Sequence, residues 1–175
     1  MPTIFTHAIV PLAVGAGLGK AAVSPRLVAA GMAVAILPDL DVIGLRFGIA
    51  YGTDFGHRGF SHSIAMAALV ALAGAFARRP LRSTFAGAFL FLFFSMVSHG
   101  LLDACTDGGS GIAFLWPLSG ERYFAPYTPI EVSPIGLSRF LSERGARVIA
   151  SELVWVWFPL ALITLALWGA RRMRR

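Results

Sequence analysis

The side chains in this sequence best suited to chemistry are four histidines and a few aspartates, grouped by their spacing. Ser98-His99-Gly100-Leu101-Leu102-Asp103 closes a long apolar run that begins at Thr84. His99 and Asp103 stand four residues apart, which stacks both on one helix face where they can grip a single ion. Pro38-Asp39-Leu40-Asp41 interrupts an earlier apolar run. Proline opens a helix locally, so both carboxylates can turn toward one site. His57-Arg58-Gly59-Phe60-Ser61-His62-Ser63 opens another run, and two imidazoles this close suit a transition-metal ion better than calcium. His7 starts the first run. Ionisable groups are costly in lipid, so their presence at the ends of apolar runs points to function.

The expected metal ligands are therefore His7, Asp39, Asp41, His57, His62, His99 and Asp103. Three or four would hold one ion, and the surplus allows two. Plainer readings stand beside this: solvated helix-end acids at Asp39 and Asp41, an interfacial belt at His57 and His62, a polar end group at His7, and a cap or salt bridge at Asp103. A bound divalent ion would lower the pKa of its water and polarise a phosphoryl or acyl oxygen, and two ions could clamp the attacking and leaving oxygens. Asp41 or Asp103 could then serve as general base. Arg58 and Arg122, with Arg46 as a further cation, could bind a phosphate through the planar guanidinium fork, or anchor to headgroups or a local acid. Asp107 and Glu121 could support ligands from behind, or act as bases, or simply be solvated.

Five apolar segments must position these groups: about Ile4 to Gly19, Leu27 to Phe47, Phe60 to Ala77, Thr84 to Leu102, and Glu152 to Gly169. With 57% hydrophobic residues, 14% charged residues and a mean hydropathy of +0.72, 175 residues could not hide this much apolar surface in a soluble fold. The expected fold is all-α: a single-domain (residues 1–175) polytopic integral membrane protein of about five transmembrane helices. Ala and Gly in the first three segments favour close helix packing. The net charge of +6 is not arranged as a nucleic-acid-binding face, because the basic residues sit at the ends of apolar runs. Lys20, Arg26, Arg78, Arg79, Arg82, Arg171, Arg172, Arg174 and Arg175 make 9 of the 15 basic residues and fall in three connections that hold no acid. The positive-inside rule puts those connections in the cytoplasm, the N-terminus in the periplasm and the C-terminus in the cytoplasm. All the histidines and acids then gather toward the periplasmic side.

The connection from Ala104 to Ser151 is the expected long periplasmic loop. Thr106-Asp-Gly-Gly-Ser-Gly reads as a flexible turn, and the aromatic, proline-punctuated middle as a cap near the headgroups. Ile135 to Ile149 can form an amphipathic interfacial helix with Leu137, Phe140, Leu141, Val148 and Ile149 on its apolar face. Cys105 is the single cysteine and carries little information. The N-terminus lacks a basic stretch, which argues against a cleaved signal peptide.

Thr6-His7, Leu37 to Asp41, His57 to Ser63, Ser98 to Asp103, and the run from Thr106 to Phe124 together resemble the YdjM-type bacterial inner-membrane proteins, over nearly the whole chain. That family is described as membrane-bound metal-dependent hydrolases, sometimes as LexA-binding or LexA-regulated. The resemblance implies an inner-membrane location and a divalent ion, with zinc first and manganese or magnesium as alternatives. More distantly, the order His, Asp, His, His-x3-Asp is similar to zinc-dependent phospholipase C and P1 nuclease, all-helical enzymes that cleave phosphodiesters. The chain departs from that group in having fewer histidines and no N-terminal Trp. The expected activity is cleavage of a phosphoester in a phospholipid or lipid-linked substrate at the periplasmic face, with membrane lipid as partner and no nucleic acid. Two rivals are a transporter with an ion or proton path, and a non-catalytic scaffold whose metal only fixes the fold.

Overall fold

The computed structural model describes residues 1–134 and 136–173. Ile135, Arg174 and Arg175, which belong to the expected interfacial helix and C-terminal basic cluster, lie outside the described residues. The helices are α1 (Ile4–Leu18), α2 (Pro25–Ile36), α3 (Ile64–Phe76), α4 (Phe85–Ala104), α5 (Leu137–Phe140), α6 (Glu143–Glu152) and α7 (Phe158–Met173). Among the described residues there is no strand, only two isolated bridges, Thr106 with Ile130 and Ile112 with Tyr123. The protein is an all-α integral membrane protein. Among the described residues three helical stretches are long and apolar enough to span a bilayer: Pro25–Phe47, Phe85–Ala104 and Glu143–Met173. α1 and α3 are apolar but have 15 and 13 residues, short of the ~20 that cross the hydrocarbon core.

Local chemistry sets the boundaries. Ser24, Ser63 and Thr84 cap α2, α3 and α4, accepting from the backbone N–H of Leu27, Met66 and Gly87. α2 gives way to a 3₁₀ segment, Leu37–Phe47, where Pro38 removes a helical donor, and Gly48 ends it in the left-handed region at φ 81°. The expected second run is thus two elements, and the change of winding starts at the Pro38-Asp39-Leu40-Asp41 motif. The third run begins late, because Phe60–His62 form a separate 3₁₀ turn before α3. The expected single interfacial helix divides into α5 and α6. Beyond α6 the chain continues through a π turn, Leu153–Trp157, into α7.

Small residues let the bundle close. Ala71, Ala75 and Ala88 are fully buried around Leu27 and Leu92. A side chain at Gly31 would run into the side chains of Phe91 and Ser95, so the Phe91 ring of α4 packs directly on the α2 backbone. The outer faces carry exposed Phe5, Leu69, Phe94 and Leu165, which suit lipid contact. Trp157 bonds to Thr6, and Arg171 to the carbonyls of Ala16 and Gly17, so α1 and α7 run in the same direction. The start of α1, the end of α2, the start of α3 and the end of α4 therefore meet at one end of the bundle. The connection rich in Arg78, Arg79 and Arg82 lies at the other end.

Candidate metal centre

His7 comes from the first turn of α1. Asp39 and Asp41 come from the 3₁₀ segment, His62 from the turn before α3, and His99 and Asp103 from the last turns of α4. His7, His99 and Asp103 are fully buried, and His62 and Asp39 are each 5% exposed. Their polar atoms face one another. His7 Nε2 lies 3.4 Å from Asp103 Oδ1 and 3.9 Å from Asp39 Oδ2. His99 Nε2 lies 3.4 Å from Asp39 Oδ1, 3.7 Å from Asp103 Oδ2 and 3.0 Å from His62 Nε2. His62 Nε2 lies 3.5 Å from Asp103 Oδ2 and 4.0 Å from Asp39 Oδ1.

These separations are mostly too long for hydrogen bonds. They match a shared ion, because two atoms each ~2.1 Å from one metal sit about 3.0–4.2 Å apart over the usual coordination angles. The tautomers agree. His99 Nδ1 faces the Ala35 carbonyl at 2.8 Å and must donate to it, which leaves Nε2 as a bare lone pair. His62 Nδ1 faces Ser61 Oγ at 3.0 Å and Asp41 Oδ2 at 3.3 Å; Ser61 donates its own proton to Asp41, so His62 Nδ1 donates too. Two lone pairs then meet at 3.0 Å with no proton between them. Both ring nitrogens of His7 and all four oxygens of Asp39 and Asp103 are buried without a hydrogen-bond partner. Buried polar groups left this way cost free energy each, and a cation at the centre would satisfy His7 Nε2 and the carboxylate oxygens together.

Asp41 differs. Its carboxylate accepts from His57 Nδ1 at 2.6 Å, Ser61 Oγ at 2.6 Å and Arg58 N at 3.2 Å, besides His62. Asp41, His57 and His62 also hold ligand-type atoms within 4.8 Å of one another. The seven expected ligands thus fall into five that converge and a pair, Asp41 and His57, that stands behind His62. His57 Nε2 is buried and unpartnered. Tyr51 packs edge-on against His57 with centroids 5.0 Å apart, and burial raises its phenol above the ordinary value, keeping it protonated.

Arg58 is fully buried. Its Nε lies 3.3 Å from Asp103 Oδ2, Nη1 donates to Gly108 O at 2.8 Å and Nη2 to Thr106 Oγ1 at 2.9 Å. It faces inward, offset against the paired anions Asp39 and Asp103, and it sits at φ 66°, a left-handed conformation rare outside glycine. Arg122 is half-buried and joins three loop carbonyls, those of His57, Gly111 and Thr53, to Ser110. Asp107 accepts from Val132 N, and Glu121 from the Tyr123 hydroxyl, so each organises its own loop. The stretch expected to be a flexible turn, Thr106 to Gly111, is anchored at both ends, with Thr106 and Gly111 buried and Asp107 and Gly109 exposed. Just beyond it Ile112 is fully buried and Ala113 N donates to the Arg58 carbonyl. Sequence reasoning missed the buried Glu152, which binds Thr3 and Thr6 one turn from His7. The available signal was an acid opening an apolar run.

Comparison with known proteins agrees with this architecture. The chain is 50% identical over 173 residues to "Inner membrane protein YbcI" of Escherichia coli (strain K12), covering 98% of this chain and 100% of that protein. No solved structure matches at a significant level. The match to the "YdjM inner membrane protein" family runs over residues 1–175, and the chain belongs to that family.

Proposed function

We propose that this protein is a metal-dependent hydrolase of the inner membrane, cleaving a phosphoester in a phospholipid or lipid-linked substrate at the periplasmic face. The observation that carries the reading is one buried cluster, in which the nitrogens of His7 and the oxygens of Asp39 and Asp103 lack partners, the Nε2 atoms of His62 and His99 face each other at 3.0 Å, and each imidazole lies 3.4 to 4.0 Å from both carboxylates. Three imidazoles and two carboxylates suit zinc first, with manganese or magnesium as alternatives. When bound, such an ion supplies an activated water and polarises the phosphoryl oxygen.

The chain's own residues divide the remaining work. Asp41 and the Ala35 carbonyl fix the imidazoles of His62 and His99 with Nε2 inward. Arg58 balances Asp103. His57, held through Nδ1 by Asp41, keeps a free Nε2 lone pair and is better placed to take a proton than Asp41, whose oxygens are already occupied. A largely apolar groove of about 400 Å³, bordered by Met1, Thr3, Phe5, Val42 and Phe140, lies beside the ligands' own segments and suits an acyl or isoprenoid chain. The arginine-rich connections at the far end support, by the positive-inside rule, the reading that the site faces the periplasm with the N-terminus outside and the C-terminus inside. Burial of the five ligands also favours a second reading, in which the ion only holds the helix ends together.

The test is metal content of the purified protein, followed by hydrolysis of phospholipid vesicles by the wild type and by His62→Ala and Asp103→Ala. Loss of both metal and turnover in the variants is expected. Turnover unchanged in both variants refutes the mechanism, and bound metal with no turnover in the wild type favours the structural reading.

A further inference from the structure

Among the described residues His62 and His99 each have a partner behind the ring, and His7 has none. The His7 ring stacks on that of His99, at 3.7 Å between centroids with 20° between planes. Its place among the ligands therefore depends on its backbone, at the first turn of α1. That turn is fixed from outside the helix. The Glu152 carboxylate, 1% exposed at the end of α6, accepts from Thr3 N at 2.5 Å, Thr3 Oγ1 at 2.6 Å and Thr6 Oγ1 at 2.5 Å. Trp157 Nε1, from the π turn that follows, donates to Thr6 Oγ1 at 2.8 Å. Thr3 spends its side chain on Glu152 instead of capping its own helix, and the negative carboxylate sits at the positive end of α1. A buried carboxylate is costly to keep, and this one is met by hydroxyls and an amide from the segment that carries His7.

We infer that Glu152 is a positioning residue for the metal centre, acting through Thr3 and Thr6 to hold His7 within reach of the ion. The inference rests on the metal centre proposed above. Because α6, the π turn and α7 form one continuous stretch, Glu143–Met173, the clamp also makes that C-terminal stretch a determinant of metal binding, although it contributes no ligand.

The experiment uses the full-length protein in detergent, stripped of metal and titrated with Co²⁺, whose visible absorption reports ligand number and geometry. Four proteins are compared: wild type, Glu152→Gln, His7→Ala and the double variant. Glu152→Gln should bind Co²⁺ about 10–100-fold more weakly, the range for residues that orient a ligand, with a spectrum shifted toward that of His7→Ala. In the His7→Ala background the same change should alter affinity by less than about twofold, because the two act on one ligand. An equal loss in both backgrounds, or none in either, overturns the positioning role. If Glu152→Gln does not fold, Thr6→Val removes one donor from the clamp at constant shape and faces the same comparison. Wild type that takes up no Co²⁺ overturns the metal centre and this inference with it, whereas normal wild-type uptake with an unaffected Glu152→Gln overturns the inference alone.

Discussion

Asp41→Asn separates a residue that binds the ion from one that aims a residue that does. Asp41 has four neighbours and all of them donate: His57 Nδ1, Ser61 Oγ, Arg58 N and His62 Nδ1. An Asn keeps one acceptor oxygen and turns an amide toward one former donor. The structure lets that conflict resolve at His57, whose free Nε2 allows it to move its proton and accept from the new amide through Nδ1. His62 then keeps its tautomer, and what disappears is the negative charge behind its ring. An ion on His62 Nε2 stands roughly 7 Å from that charge, after the 3.3 Å to Nδ1, the ring, and one ~2 Å bond. At an effective dielectric of about 20–40, a unit charge opposite a divalent ion at that distance is worth about 2–5 kcal/mol. Relief of the carboxylate's own desolvation offsets part of it. The net expectation is a loss of about 10–100-fold in metal affinity, or about 1.4–2.7 kcal/mol.

The assay is competition for Zn²⁺ between the detergent-solubilised protein and a chromophoric chelator, with His62→Ala as the reference for a lost ligand. A partial loss in Asp41→Asn beside a near-complete loss in His62→Ala is the expected pattern. If Asp41→Asn abolishes binding as fully as His62→Ala, Asp41 contacts the ion directly and the division into five ligands and a supporting pair is wrong. Unaltered affinity would equally refute the argument, since it would mean the Asp41–His62 contact does not tune the imidazole.

The helical membrane architecture was legible because hydropathy dominates it, and each of the five apolar runs is helical. The gathering of His7, Asp39, His62, His99 and Asp103 was also legible, since polar residues at the ends of antiparallel apolar runs have few places to go. Less accessible was the division of labour among them. Whether Asp41 faces an ion or the back of an imidazole depends on the 3₁₀ winding from Leu37 to Phe47, and no pattern of residue types sets that winding length. Arg58 was expected to hold a phosphate, a headgroup or a local acid, and its pairing with Asp103 fits the last of these, but its complete burial was not legible. Its inward course requires the unusual φ at that residue together with the cover of Thr106 and Gly108, which is tertiary information. Glu152 escaped notice because its partners lie almost the full length of the chain away.

Two further substitutions test the ends of the bundle against each other. Ser24→Ala removes the cap of α2 at the arginine-rich end and should cost about 1 kcal/mol in thermal or denaturant stability. It should leave metal affinity unchanged, and a fall in affinity would mean the two ends are coupled more tightly than the packing suggests. Arg58→Met keeps the side-chain volume but removes the charge beside Asp103. Stripping one partner from a buried pair costs about 3–5 kcal/mol, because the other charge is left uncompensated. With metal present, however, Asp103 has a second source of positive charge, so the destabilisation should be large in the metal-free protein and much smaller in the loaded one. Melting curves of wild type and variant, each with and without Zn²⁺, measure that difference. Equal destabilisation in both states would show that Asp103 does not share its charge with an ion, and would remove it from the ligand set.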